Sequence, residues 1–254
     1  MKFSIVLPIH NEEENLRYTL KSIFDLQPDE VIAVLDNCTD HSKQMLEAYT
    51  RQINFRGRLQ LLEVKEIPKE WNYRVAYLFR HGYHVARNDA ILTTAADIVL
   101  DQNVKRHIRE FGRDDVKIIS FGLIPYPLDR IYFARKLISL ILPRSTFSGV
   151  FLFSKKAWLE TEREEDAQRV LRAQDTLMFR SIRRVYRARH VWTHSLHLRS
   201  RSNESKFYYS RGMVSYQVTH RSDLFVFLSS MVYLHPKMFA GYRHAKRMKI
   251  RQVR

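Results

Sequence analysis

Short β-branched apolar runs alternate with helix-spaced apolar residues along the first hundred positions, which restricts the chain to a few layered architectures. Phe3–Pro8 and Val31–Leu35 read as buried parallel strands, being apolar without polar alternation. Between them Leu16, Leu20, Ile23 and Phe24 recur at helical spacing. Asn11 suits the N-cap of that helix, with Glu14 three residues on to complete a capping box. A second helix is expected from near Asp40, a third strand at Leu59–Val64 and a helix at Asn72–Ala86. A strand at Ala90–Thr94 then runs into Ala95, Ala96 and Asp97. This order predicts an α/β fold with a mainly parallel, Rossmann-like sheet flanked by helices. Ligands of such sheets sit beyond the C-terminal strand ends. Pro8–Glu12, Asp36–Asp40 and Ala95–Asp97 should therefore border one crevice.

Past Asp101 the pattern loosens. A helix at Asn103–Phe111 and a strand at Val116–Phe121 precede an amphipathic stretch, Leu128–Leu142. A strand at Gly149–Ser154, an acidic patch at Glu160–Asp166, a basic helix at Asp175–Tyr186 and a strand at Arg189–Thr193 follow. The remainder reads as helices rich in Arg, Lys, Tyr and Phe, which divides the chain into 1–199, with halves 1–101 and 102–199, and a basic helical extension, 200–254.

Charge follows the same division. Of the net charge of +16, residues Arg180–Arg254 carry +15, from seventeen Lys or Arg against Glu204 and Asp223. Leu224–Leu234 beside Lys237, Arg243, Lys246 and Arg247 suits an anionic membrane surface, although the aromatic and cationic tail also fits nucleic acid or plain solvated helices. Neither Ile131–Leu142 nor Leu224–Leu234 approaches the roughly 20 residues of a spanning helix. A single cysteine, Cys38, rules out an internal disulfide. With no secretory signal pattern ahead of Asn11, the expected location is the cytoplasm, with peripheral membrane contact through the basic segment.

Four ordered segments carry a family resemblance. Phe3-Ser-Ile-Val-Leu-Pro-Ile-His-Asn-Glu-Glu-Glu-Asn-Leu, Val34-Leu-Asp-Asn-Cys-Thr-Asp, Ala90-Ile-Leu-Thr-Thr-Ala-Ala-Asp-Ile-Val and Ala173-Gln-Asp-Thr-Leu resemble the motifs of family 2 glycosyltransferases, inverting enzymes of GT-A fold. The resemblance implies a nucleoside-diphosphate sugar, UDP- or GDP-linked, with Pro8, His10, Asn11, Glu12, Asp36, Arg74, Ala96 and Asp97 around it. Asp36 can accept from a base N–H or simply form the turn, and Glu12 can reach the ribose or merely favour the helix start. Arg74 can fork onto the diphosphate or lie solvated on its helix. Asp97 is the expected ligand of Mg²⁺ or Mn²⁺, with His194 as a further ligand and His197 a lesser alternative in His-x-x-His.

The chain departs from the family pattern at Ala95, where the first Asp of the Asp-x-Asp signature stands, and at Gln174, which replaces a Glu. Asp101 can compensate for Ala95 or cap the next helix. Asp175 is the expected general base. The acceptor, a glycan or a lipid-linked molecule, is not legible. Transfer to a polyprenyl phosphate, or a GT-A-fold binding protein without catalysis, are the rival readings.

Overall fold

The computed structural model describes residues 1–65, 71–126, 149–162, 174–198, 204–217, 221–232 and 235–248. The described residues up to Leu198 form one compact unit, and those from Glu204 on form a second.

The first unit is an eight-stranded mixed sheet between helices. In chain order it comprises β1 (Phe3–Ile9), α1 (Glu13–Asp25), β2 (Glu30–Asp36), α2 (Ser42–Gln52), β3 (Arg58–Val64), α3 (Trp71–Val85) and β4 (Ala90–Thr93). It continues with β5 (Ile98–Val99), α4 (Asn103–Glu110), β6 (Val116–Tyr126), β7 (Val150–Ser154), α5 (Lys155–Thr161), α6 (Gln174–Val185) and β8 (Arg187–Leu198). The strand order is β3-β2-β1-β4-β7-β6-β8-β5. The first four strands are parallel, as expected. Beyond them β7 runs antiparallel to both β4 and β6, and β5 antiparallel to β8, while β6 and β8 are parallel, so antiparallel strands complete a mainly parallel sheet.

Alternation along each strand divides the core between the two faces. Ile5, Leu7 and Ile9 of β1 bury with Leu16, Leu20 and Ile23 of α1, Leu46 of α2 and Ile108 of α4. Val6 points the other way, into a cluster with Leu78 and Tyr83 of α3, Trp158 of α5 and Met178, Phe179 and Ile182 of α6. Gly82 permits the close fit of α3: a Cβ there would lie 2.3 Å from the Val6 side chain. β1 joins β2 on one side and β4 on the other, so the direction of winding reverses between β1 and β4. Their C-terminal ends therefore open a crevice. The β4 ladder stops at Val6↔Thr93, two residues before Pro8, whose missing N–H thus interrupts no pairing there.

Two expectations change. The local capping box at Asn11 does not form: α1 starts at Glu13, and no side chain caps it from the N-cap position. β6 and β8 both extend beyond the expected strands, with register shifts between Val116 and Ile118 and between Gly122 and Ile124. The amphipathic stretch Leu128–Leu142 and the acidic patch after Glu162 lie outside the described residues.

His190 of β8 is half-buried, with one ring nitrogen wholly enclosed. Its Nδ1 lies 3.1 Å from Ser120 Oγ, while Nε2 is buried without a hydrogen-bond partner among the described residues. Burial alone pushes its pKa down to about 4. As pH falls below about 6.5 the unfolded chain takes a proton that the folded ring refuses, so stability declines until the pH nears the folded value. The expected loss from this residue is about 2 kcal/mol between pH 7 and pH 5. Urea unfolding at both pH values should show His190→Phe with a shallower decline, and an unchanged decline would refute the assignment.

The second unit comprises α7 (Glu204–Gln217), α8 (Asp223–Val232) and α9 (Pro236–Arg247). α7 and α9 touch backbone to backbone through glycines. A Cβ on Gly212 would sit 1.8 Å from the Met238 carbonyl oxygen, and one on Gly241 2.1 Å from that of Tyr209. Tyr208, Val226, Met238 and Tyr242 form its small core.

Candidate active site

The loops after β1 and β2 are tied together by reciprocal caps. Asn11, at a left-handed φ of 52°, turns its side-chain oxygen to accept from the Thr39 N–H at 2.7 Å. Asp40 accepts from the Glu13 N–H and Ser42 Oγ from the Glu12 N–H, both at 2.9 Å. In return Glu13 accepts from the His41 N–H at 3.2 Å, at the start of α2. Each helix thus has orphan N–H groups satisfied by the other's entry loop. Asn11 is occupied as the tie between the loops.

Behind this tie lies a polar cluster. Asp36, only 1% exposed at the end of β2, takes a bidentate fork from Arg74: Nη2 donates to Oδ1 at 2.5 Å and Nε to Oδ2. His10 Nδ1 donates to the Asp36 main-chain oxygen at 2.6 Å, which leaves the other ring nitrogen for other partners. Arg74, expected at a diphosphate, holds Asp36 through Nε and Nη2 of its guanidinium. Both residues, with His10, form one hydrogen-bonded wall.

Asp97 anchors the opposite side. β5 pairs with β8 with Ile98 against His197, and the Leu198 N–H donates to the Asp97 main-chain oxygen at 2.7 Å. This brings His197 Nε2 within 2.9 Å of Asp97 Oδ2, across 100 residues of sequence. Glu12 faces the same space. Burial raises its pKa, a hydrogen bond from Asn15 opposes that, and the Asp97 charge adds to the rise.

His194 is placed differently from expectation. Strand alternation turns it away from His197's side, its ring is 85% exposed, and its main-chain N–H donates to Asp101 at 2.8 Å. Asp101 also accepts from the Asn103 N–H at 3.1 Å. Burial pushes the Asp101 carboxyl up, but these hydrogen bonds outweigh it and hold the pKa below the usual range. Asp101 is thus a helix cap, the plainer of its two readings. Ala96 is 2% exposed and its carbonyl accepts from Thr19 Oγ1 at 2.9 Å, so it backs the crevice without lining it. Ala95 is half-buried against the core. Asp175 stands in the first turn of α6, one turn ahead of the buried Met178 and Phe179.

The profile of glycosyl transferase family 2 matches residues 4–203, most of the chain. The chain belongs to that family. Its solved neighbours agree on a GT-A fold. TarS of S. aureus (residues 1–349), in complex with UDP, is 15% identical with a TM-score of 0.56, over 85% of this chain and 65% of that one. The mannosyltransferase PcManGT of Pyrobaculum calidifontis, with GDP-Man and Mn²⁺, gives 13% identity and a TM-score of 0.62, over 84% and 61%. Glucosyl-3-phosphoglycerate synthase of Mycobacterium tuberculosis, with Mg²⁺ and UDP, gives 15% and 0.53, over 86% and 76%. The chain therefore spans less than two thirds of the TarS and PcManGT chains. No significantly similar curated protein was found.

Among the described residues no three His, Cys, Asp or Glu side chains converge as a cation site. Asp97 and His197 offer one carboxylate and one imidazole. That is a sparse set, and it fits a cation that takes its remaining ligands from a diphosphate and water, as Mg²⁺ sites commonly do. Imidazole as one donor suits Mn²⁺ as well.

Proposed function

We propose that this enzyme moves a sugar from a nucleoside diphosphate, UDP or GDP, onto an acceptor hydroxyl with inversion at the anomeric carbon. The observation that carries the proposal is the opposition of two built walls across the crevice between β1 and β4. One is Asp36–Arg74–His10 and the other Asp97–His197, with Glu12 between the two loops. The first wall presents hydrogen-bonding groups to a base and ribose, backed by the main chain at Pro8–His10. The second wall, Asp97 and His197, would hold Mg²⁺ or Mn²⁺ beside the diphosphate. Such a cation, when bound, neutralises charge on the departing phosphate.

In the reaction the acceptor oxygen attacks the anomeric carbon as the bond from that carbon to the phosphate oxygen breaks. The bonding pair leaves with the diphosphate. The acceptor's proton passes to the carboxylate of Asp175, the general base. Support for this role comes from the motif Ala173-Gln-Asp-Thr-Leu, which sets Asp175 in the first turn of α6.

The test has two arms. Calorimetry with UDP- and GDP-sugars plus Mn²⁺ should give saturable binding to one nucleotide, and no binding to either would overturn the reading. With the active donor, Asp175→Ala should lower turnover about 10²–10⁴-fold while leaving donor affinity close to normal. Near-normal turnover would remove the general base and point to an acceptor that is already ionised, such as a polyprenyl phosphate.

A further inference from the structure

α8 is mostly apolar, yet among the described residues only one side of it is covered. Val226 and Ser230 pack inward at 0% and 4% exposure. Leu224, Phe225, Phe227, Leu228 and Met231 face out, with Leu224 67%, Leu228 53% and Met231 60% exposed. Leu224, Phe227, Leu228 and Met231 follow the spacing i, i+3, i+4, i+7, so they form one continuous stripe. A contiguous apolar stripe of this kind marks a contact surface, whereas scattered exposed side chains would need no explanation.

Cations edge the stripe on both sides. The Arg221 guanidinium lies 4.4 Å from the Phe225 ring centre. On α9 the Arg243 guanidinium lies 6.0 Å from Phe239, whose ring meets Phe227 edge-on at 5.4 Å. Lys237 and Arg247 of α9 are exposed as well. From Arg221 to Met248 there are five Lys or Arg and one acid, Asp223, which is held by Lys246 at 2.8 Å.

We infer that the outward face of α8 docks on an anionic lipid bilayer, with Leu224, Phe227, Leu228 and Met231 entering the headgroup–acyl boundary and the flanking cations meeting lipid phosphates. Charge decides the occupant. A second copy would set five cations against five across a two-fold contact, whereas an anionic bilayer complements them. Nucleic acid would satisfy the cations but leave the leucines and methionine exposed. At ten residues α8 is far too short to cross a bilayer, and among the described residues no helix is long and apolar enough to do so. An apolar face edged by Lys and Arg is what a helix lying in the interface requires.

The inference is independent of the transfer reaction, and its test keeps the two apart. The full chain would be sedimented with phosphatidylcholine vesicles, with or without one third phosphatidylglycerol. Wild type should bind the anionic vesicles at least tenfold more tightly than the neutral ones, and more weakly as salt rises. Leu228→Glu should lose at least tenfold in affinity for the anionic vesicles. Leu228→Lys should lose affinity too, although it adds a cation, because it removes apolar insertion. Circular dichroism and urea unfolding in vesicle-free solution should be unchanged in both variants, showing that they are folded. Failure of wild type to bind vesicles would overturn the inference, as would binding unaffected by Leu228→Glu, or retained in full by Leu228→Lys. A solution dimer that Leu228→Glu dissociates would assign the face to self-association instead.

Discussion

Arg74→Ala should destabilise the first unit by about 3–5 kcal/mol, the usual range when one partner of a buried ion pair is removed. Asp36 is 1% exposed and receives both arms of the Arg74 fork, so the variant leaves a carboxylate buried without its main donor. The reverse change is milder. Arg74 is 24% exposed on its side chain, so in Asp36→Ala the guanidinium can turn toward water, and about 2 kcal/mol is expected. Urea unfolding would measure both, with a fall in Tm of about 10 °C for Arg74→Ala in a domain of this size. The double variant should cost less than the two single losses together, because it leaves neither charge stranded. If Arg74→Ala proves no more costly than Asp36→Ala, then burial does not govern the pair. The ordering matters for function, since a preformed fork holds Asp36 and His10 in place before any nucleotide arrives.

The same fork shows what the sequence carried and what it did not. The layered fold was legible because its signals are local. Unbroken apolar strands such as Val31–Leu35 and the 3.6-residue spacing of Leu16, Leu20 and Ile23 require no knowledge of distant partners. The crevice was legible for a related reason, since polar loops concentrate at one end of those strands. Which side chain meets which was not. Arg74 and Asp36 are 38 residues apart, and either could have been solvated. Asn11 has the composition of an N-cap, but Thr39 supplies its partner from another loop, a choice that spacing within α1 cannot reveal. The strand expected at Arg189–Thr193 runs on to Leu198, past an inward residue, Ser195, that carries a hydroxyl rather than an aliphatic side chain. The structure satisfies both hydroxyls internally: Thr193 donates to the Gly122 carbonyl at 3.0 Å, and Ser195 accepts from the Asp101 N–H at 2.9 Å. Cutting the strand short hid the alternation that separates His194 from His197.

That alternation sets up the sharpest functional contrast. Asp97→Asn should reduce transfer on the order of 10²–10³-fold, comparable to loss of a group that stabilises the leaving charge. His197→Ala should cost roughly 10–100-fold, as is usual when a partner that orients or shares a cation ligand is lost. Its ring meets Asp97 at 2.9 Å, with both side chains partly buried. His194→Ala should change the rate by no more than about twofold, because an 85% exposed ring contributes little and alanine keeps the main-chain N–H that Asp101 accepts. Release of nucleoside diphosphate from the active donor would give all three rates. Chelator sensitivity of nucleotide binding should track the same order, weakened in Asp97→Asn and His197→Ala and intact in His194→Ala. The opposite order, with His194 essential and His197 dispensable, would mean that the C-terminal end of β8 rearranges when donor binds. The pairing of Asp97 with His197 would then describe only the resting enzyme.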